Sequence, residues 1–180
     1  MTRRNMWLLG WGMAVALSLA ACAQQQAAGP SIEAKTFALT PATAALKVSF
    51  LTGELKGLKV VERVEKGTGR VVDPPKLQAT LKLKNSVSDQ AARLISARIE
   101  YADVDGKPIP LAKDRGDASF KFYGFQERLD PGMEISQDIE VPFPAAALKE
   151  KKLGDIRLEI SYIPTPYREE TSNIRVSLAE

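Results

Sequence analysis

An all-β fold, a sandwich or barrel of antiparallel strands with one short crossover helix, is what this 180-residue sequence predicts. Three observations carry the expectation. Apolar and polar residues alternate with a period of two through much of the chain from about Phe37 onward, which suits strands with one buried and one wet face. The alternating runs are short and separated by turn chemistry, at Gly67-Thr68-Gly69, Asp105-Gly106 and Asp130-Pro131-Gly132. Only one segment has helical character, and no period of about 20–50 residues repeats.

Taken in order, Leu46-Lys47-Val48-Ser49-Phe50 alternates, and Leu58 to Val64 is a weaker strand candidate leading into Gly67-Thr68-Gly69. Arg70-Val71-Val72 precedes Pro74-Pro75. Leu77, Ala79, Leu81 and Leu83 fall on one face of the next run, and Ile95, Ala97, Ile99 and Tyr101 are evenly spaced in the one after it. Pro108-Ile109-Pro110 fits only an edge or a loop. Ser119 to Phe125 reads as aromatic and extended. Glu134 to Val141 alternates, with Gln137 out of pattern. Pro144 to Lys152 reads as the helix, with proline at its start, lysines at its end and Gly154 as its stop. Ile156, Leu158, Ile160 and Tyr162 alternate again, and Ile174, Val176 and Leu178 close the chain in the same rhythm.

The N-terminus differs from all of this. Arg3 and Arg4 precede an apolar run from Met6 to Leu19, and Ala20 and Ala21 stand before Cys22, the only cysteine. A charged start, an apolar stretch and small residues describe a secretory signal. The run is rich in Gly and Ala and shorter than the roughly 20 apolar residues of a membrane span. Leu19-Ala20-Ala21-Cys22 resembles the lipobox of bacterial lipoproteins. The resemblance implies cleavage before Cys22, a diacylglycerol on its thiol and an N-acyl chain on its new amine. Two or three acyl chains, at about 0.8 kcal/mol per buried methylene, anchor a protein firmly. Ala23, where aspartate is absent, implies by the same resemblance an outer-membrane location facing the periplasm. Residues 23–35 are small and polar around Gly29-Pro30 and read as a tether reaching at most about 45 Å. The expected organisation is a signal over 1–21, lipidated cysteine and tether over 22–36, and one β-domain over 37–180.

Composition excludes several functions. Losing residues 1–21 removes Arg3 and Arg4 and no acid, so 25 basic residues become 23 against 22 acidic ones. A surface so nearly neutral does not suit nucleic acid, which needs a clustered basic face. The chain has no histidine. That rules out Ser-His-Asp and Cys-His nucleophilic sites and His-bearing zinc sites. With Cys22 lipidated, no thiol is left for a disulfide or a metal, so no cofactor is expected beyond the covalent lipid.

A second resemblance rests on LKLKNSVSDQAARLISARIEYADVDGKPIP, RLDPGMEISQDIEVP and IRLEISY, across roughly residues 77–163. These runs look like small immunoglobulin-like domains of bacterial lipoproteins, with a strand ending in Asn, a Tyr-x-x-x-Asp-Gly strand end, a Leu-x-Pro-Gly turn and a closing strand. They are also similar to short enterobacterial-type lipoproteins of unknown function. The resemblance implies an immunoglobulin/fibronectin-like antiparallel sandwich; Phe37 to Lys76 adds strands that it does not place.

Other constellations read as turns or solvated loops. Asp103-Val104-Asp105-Gly106 lacks the further oxygen ligands of a calcium loop. Glu65 to Arg70 lacks the Gly-Lys-Ser/Thr ending of a phosphate loop. Glu169-Glu170, or Asp114 with Asp117, have the residue type for glycoside chemistry but no defined separation. The informative stretch is Phe120-Lys121-Phe122-Tyr123-Gly124-Phe125. In a regular strand Phe120 and Phe122 share one face, Tyr123 and Phe125 the other. One pair is then core and the other an exposed docking surface beside Lys121, unless a bulge at Gly124 turns all four inward. The expectation is a non-catalytic, membrane-anchored accessory or assembly factor that binds another envelope protein through Lys121, Tyr123 and Phe125. The alternative is a binding module for glycan or a hydrophobic small molecule, which needs a cavity of about 300 Å³ or more.

Overall fold

The computed structural model describes residues 29, 31–124 and 127–166. Among them lie nine strands and one helix: β1 (Ile32–Ala38), β2 (Thr43–Val48), β3 (Leu51–Glu65), β4 (Val71–Asn85), β5 (Gln90–Asp103), β6 (Ser119–Lys121), β7 (Arg128–Leu129), β8 (Glu134–Pro142), α1 (Ala145–Glu150) and β9 (Leu153–Pro166). They form two antiparallel sheets packed as an all-β sandwich. The first sheet has the order β1-β3-β4-β8, with β2 also on β3. The second has β6 and β7 on one side of β5 and β9 on the other. The expected closing strand at Ile174–Leu178 lies outside the described residues.

The segment before Lys76 finds its place on β3. Strand β2 pairs with the first half of β3, from Thr43 opposite Lys56 to Val48 opposite Leu51. Strand β1 pairs with the second half, from Ile32 opposite Glu65 to Ala38 opposite Lys59. Regular structure therefore begins at Ile32, not at residue 37, which shortens the expected tether. The outer parts of β3 and β4 rise as a hairpin arm beyond the level where β8 ends, at Pro142 opposite Lys76. Pro74 and Pro75 sit inside β4, on this arm, where β8 needs no partner N–H.

Alternation explains the core. On β4, Leu77, Ala79, Leu81 and Leu83 are buried, while Gln78, Thr80 and Lys82 face outward. They meet Ala92, Leu94, Ala97, Ile99 and Tyr101 of β5 and Ile135, Ile139 and Val141 of β8. Edge-to-face ring pairs join the layers, Tyr101 with Phe143 at 4.9 Å and Phe50 with Tyr162 at 5.5 Å. Asn85, fully buried at the end of β4, is satisfied on every side. Its Nδ2 donates to the carbonyls of Gln90 (2.7 Å) and Leu129 (3.1 Å), and its Oδ1 accepts from the Val87 N–H (3.2 Å).

The helix is shorter than expected. It ends at Glu150, with Lys151 in the left-handed region at φ 52°. Gly154 is not its stop: it lies within β9, where a Cβ would come 2.5 Å from the Asp103 carbonyl oxygen. Its role is close strand approach.

Candidate functional site

The outer faces of the two sheets differ in chemistry. On the first sheet, polar side chains satisfy one another across strands. Lys76 bonds Glu140 at 2.9 Å, Gln78 Nε2 donates to Glu140 at 2.8 Å, Thr80 donates to Asp138 at 2.7 Å, and Lys82 lies 3.6 Å from Glu134. The Lys76 ammonium, and then the Gln78 amide, hold the Glu140 carboxyl below its usual range, and Glu140 raises Lys76 in return. A face so paired offers few unmet groups to a partner.

The outer face of the second sheet carries exposed apolar side chains. Strand β5 slips register between Leu94 and Ser96: Leu94 faces Tyr162, and Ser96 faces Ser161. Ile95 is the extra residue at this bulge. It leaves the inward row, which runs Ala92, Leu94, then Ala97, Ile99 and Tyr101, and stands 46 % exposed. This corrects the expected even spacing of Ile95 with Ala97 on one face. Ile163 of β9, directly opposite Arg93, is 50 % exposed on the same surface. On the other flank, β6 ends at Lys121, opposite Ser96, and Tyr123, two residues further on, is 67 % exposed. Register thus brings Ile95 and Ile163 to one end of one sheet face, and Tyr123 follows β6, which ends beside it.

Paired arginines and acids flank these residues at Arg93 and Arg128 and continue along β5 and β9 at Arg98 and Arg157. Arg93 lies 4.0 Å from Glu127, Arg128 2.7 Å from Asp130, Arg157 3.8 Å from Glu100, and Arg98 bonds both Glu100 and Glu159. Lys121 has no ion-pair partner among the described residues and stands beside the apolar group. Apolar centre with charged rim is the arrangement of protein interfaces.

Of the residues read from sequence, Lys121 and Tyr123 come together here; Phe125 and Cys22 lie outside the described residues. The expected extended run from Ser119 to Phe125 is a strand only to Lys121, and the backbone turns at Gly124, φ 61°. Phe120 and Phe122 do point inward, 5.6 Å apart, with Phe122 buried. A bulge turning all the aromatics inward is excluded by Tyr123. Sequence reasoning missed Ile95 and Ile163. The signal for Ile163 was an apolar residue on the polar phase, directly after Tyr162; for Ile95 it was adjacency to Leu94, since both cannot face inward in a regular strand. Gln137, out of pattern in β8, explains how β6 is held: its Nε2 donates to the Lys121 carbonyl (3.1 Å), joining the sheet edges, while its Oε1 is buried without a partner among the described residues.

The remaining constellations are spent on local structure. The Asp103 carboxylate accepts from the N–H groups of Asp105 (2.9 Å) and Lys107 (2.8 Å), closing a hairpin turn. Glu65 accepts from Thr68 (2.7 Å) and Arg70 (3.2 Å), which hold its carboxyl below the usual range. Asp114 and Asp117 are exposed in the loop before β6, and Glu169-Glu170 lie outside the described residues. Among the described residues no group of three or more acidic, Cys or His side chains is placed to hold a metal, and no helix is long and apolar enough to cross a membrane. A cleft of about 460 Å³ under Pro108–Lys113 is open to solvent, as are four further hollows among the described residues.

Fold and site define an antiparallel β-sandwich with one self-paired outer face and one partly apolar outer face. No protein-family model, curated protein or solved structure matches the chain.

Proposed function

We propose that this protein is a non-catalytic lipoprotein of the cell envelope, anchored through lipid on Cys22, that docks another envelope protein on the outer face of its second sheet. The observation that carries the docking reading is the contrast between the two faces. Where β4 lies beside β8, polar groups of the first sheet bond one another, and that sheet's exposed apolar residues, Ile32, Phe37, Val71 and Val72, lie apart on β1 and the arm, whereas Ile95, Ile163 and Tyr123 leave apolar area in water on the second sheet. Each Å² of that area covered by a partner is worth roughly 25 cal/mol. The anchor reading rests on the signal pattern and the single cysteine at its end, and placement on the outer membrane facing the periplasm rests on Ala23. The immunoglobulin-like reading is supported by the connections: β4 crosses to β5 in the opposite sheet, and β8 crosses through α1 to β9 beside β5.

Photo-crosslinking in intact envelopes tests the docking face, with the crosslinker at Tyr123 or Ile163 and, as control, at Thr80 on the first sheet. A discrete adduct from the first two positions and none from Thr80 is expected, lost in Ile95→Ser/Tyr123→Ser with thermal stability retained. Equal adducts from both faces, or none from Tyr123 and Ile163, would refute it. For the anchor, Cys22→Ser is expected to abolish globomycin-sensitive processing and detergent partitioning; normal processing and partitioning of that variant would refute it.

A further inference from the structure

From the end of the hairpin arm we infer a second contact surface: the β3–β4 tip is a membrane-facing element that meets anionic lipid headgroups. The inference rests on the Cys22 anchor proposed above. Strand β1 starts at the tip, not at the body of the sandwich, and the Lys66 N–H donates to the Ser31 carbonyl at 2.7 Å. Only residues 23–31 then separate a lipidated Cys22 from the tip, a reach of at most about 30 Å. The body begins near Lys76, some six strand residues or about 20 Å further down the arm. Of the described chain, the tip is therefore the part held closest to the bilayer.

Its composition suits that position. At the level of the tip the cations Arg63, Lys66 and Arg70 stand with the acids Glu33, Glu65 and Asp73, Glu33 opposite Val64 and Asp73 opposite Arg63, and Lys66 and Arg70 are the cations nearest the turn. Glu65, the acid at the turn, is already occupied by Thr68 and Arg70, and Lys66 has no ion pair among the described residues. Ile32, Val71 and Val72 are each about half exposed beside these charges. In a cytosolic or periplasmic setting alone, three exposed β-branched residues on a projecting arm invite edge pairing. Against headgroups they enter the interfacial layer while the cations meet phosphates, as on other amphipathic surface elements.

The test uses the processed, lipidated protein reconstituted into vesicles of phosphatidylethanolamine and phosphatidylglycerol. An environment-sensitive dye is placed at Thr68→Cys on the tip or, as control, at Ser88→Cys at the opposite end of the sandwich. Flotation first reports anchoring. The expected result is quenching by a bilayer-borne quencher that is severalfold stronger at position 68 than at 88, and that falls to the control level in Lys66→Glu/Arg70→Glu or in phosphatidylcholine vesicles. A floated protein whose tip label is as wet as the Ser88→Cys label overturns the inference and leaves the anchor standing. Protein that does not float overturns the anchor reading, and this one with it. Protection of the tip that persists in detergent and rises with protein concentration assigns it to a second copy of the chain and also overturns the inference.

Discussion

Replacing Asn85 by alanine tests how the two sheets are joined. Asn85 ends β4 in the first sheet, and its amide reaches the carbonyls of Gln90, where β5 begins, and Leu129 in β7, both in the second. Alanine deletes three hydrogen bonds, the third being the one that Val87 donates. Each is worth about 1 kcal/mol net, and the Leu129 carbonyl keeps its place in the ladder opposite Ala92. The Gln90 and Val87 groups are half-buried, so water offsets part of their loss. The total is about 2–3 kcal/mol. At about 2–4 °C per kcal/mol for a domain of this size, Tm falls by about 5–10 °C. Urea denaturation with an unchanged m-value is the assay. Asn85→Asp is expected to be no better at neutral pH, since a carboxylate would face two carbonyl oxygens. A loss below about 1 kcal/mol for Asn85→Ala would refute the claim that this side chain ties the sheets.

Two further outcomes are expected. Burial pushes the Tyr101 phenol well above its ordinary range, and its hydroxyl donates to the Pro142 carbonyl at 2.8 Å. Its contribution is fully present below the unfolded value near pH 10 and is lost as pH rises further, so Tyr101→Phe should cost about 1 kcal/mol at pH 7 and show a flatter stability profile above about pH 10, read by urea midpoints across pH. Gly154→Ala should destabilise by about 1–3 kcal/mol, because the new Cβ meets backbone of Asp103 and Val104 and has no flexible atom to displace; an unchanged midpoint would show that β9 can shift away from β5.

What was legible in the sequence followed from burial on one face only. Strand β4 from Leu77, β9 from Ile156 to Tyr162, and β8 apart from Gln137 alternate because each turns one side to the core, so the period is written in the residues. Strand β1 is exposed on both faces and held by backbone pairing to β3, so IEAKTFA carries no such period. Strand β7, two residues long, is set by the Leu129 side chain and the Asn85 amide rather than by any local pattern. The candidate face was half legible. Tyr123 announced itself as a surplus aromatic next to Phe122, since one inner face cannot take both phases. Ile95 needed the register slip at Leu94/Ser96, and its position beside Ile163 needed the β5–β9 pairing, neither of which is written locally.

The two proposed surfaces are geometrically compatible, and that compatibility constrains the docking reading. The arm extends along the strand direction, so a tip at the bilayer leaves the strands pointing away from the membrane and the outer sheet faces turned sideways. Tyr123 and Ile163 lie toward the end of the second sheet remote from the arm, near Gln90 and Pro166. A partner seated on them would therefore approach from the side, at a height above the bilayer set by the arm together with most of the length of β5. At about 3.3 Å per residue, roughly ten residues of β5 and six of the arm place the contact some 50 Å from the tip. A docked envelope protein must project at least that far from the same membrane, or approach from across the periplasm. Shortening the arm by deleting matched residues from β3 and β4 would lower the face without altering its chemistry, and on this reading it weakens capture of a partner fixed in the same membrane while sparing one that is free in solution.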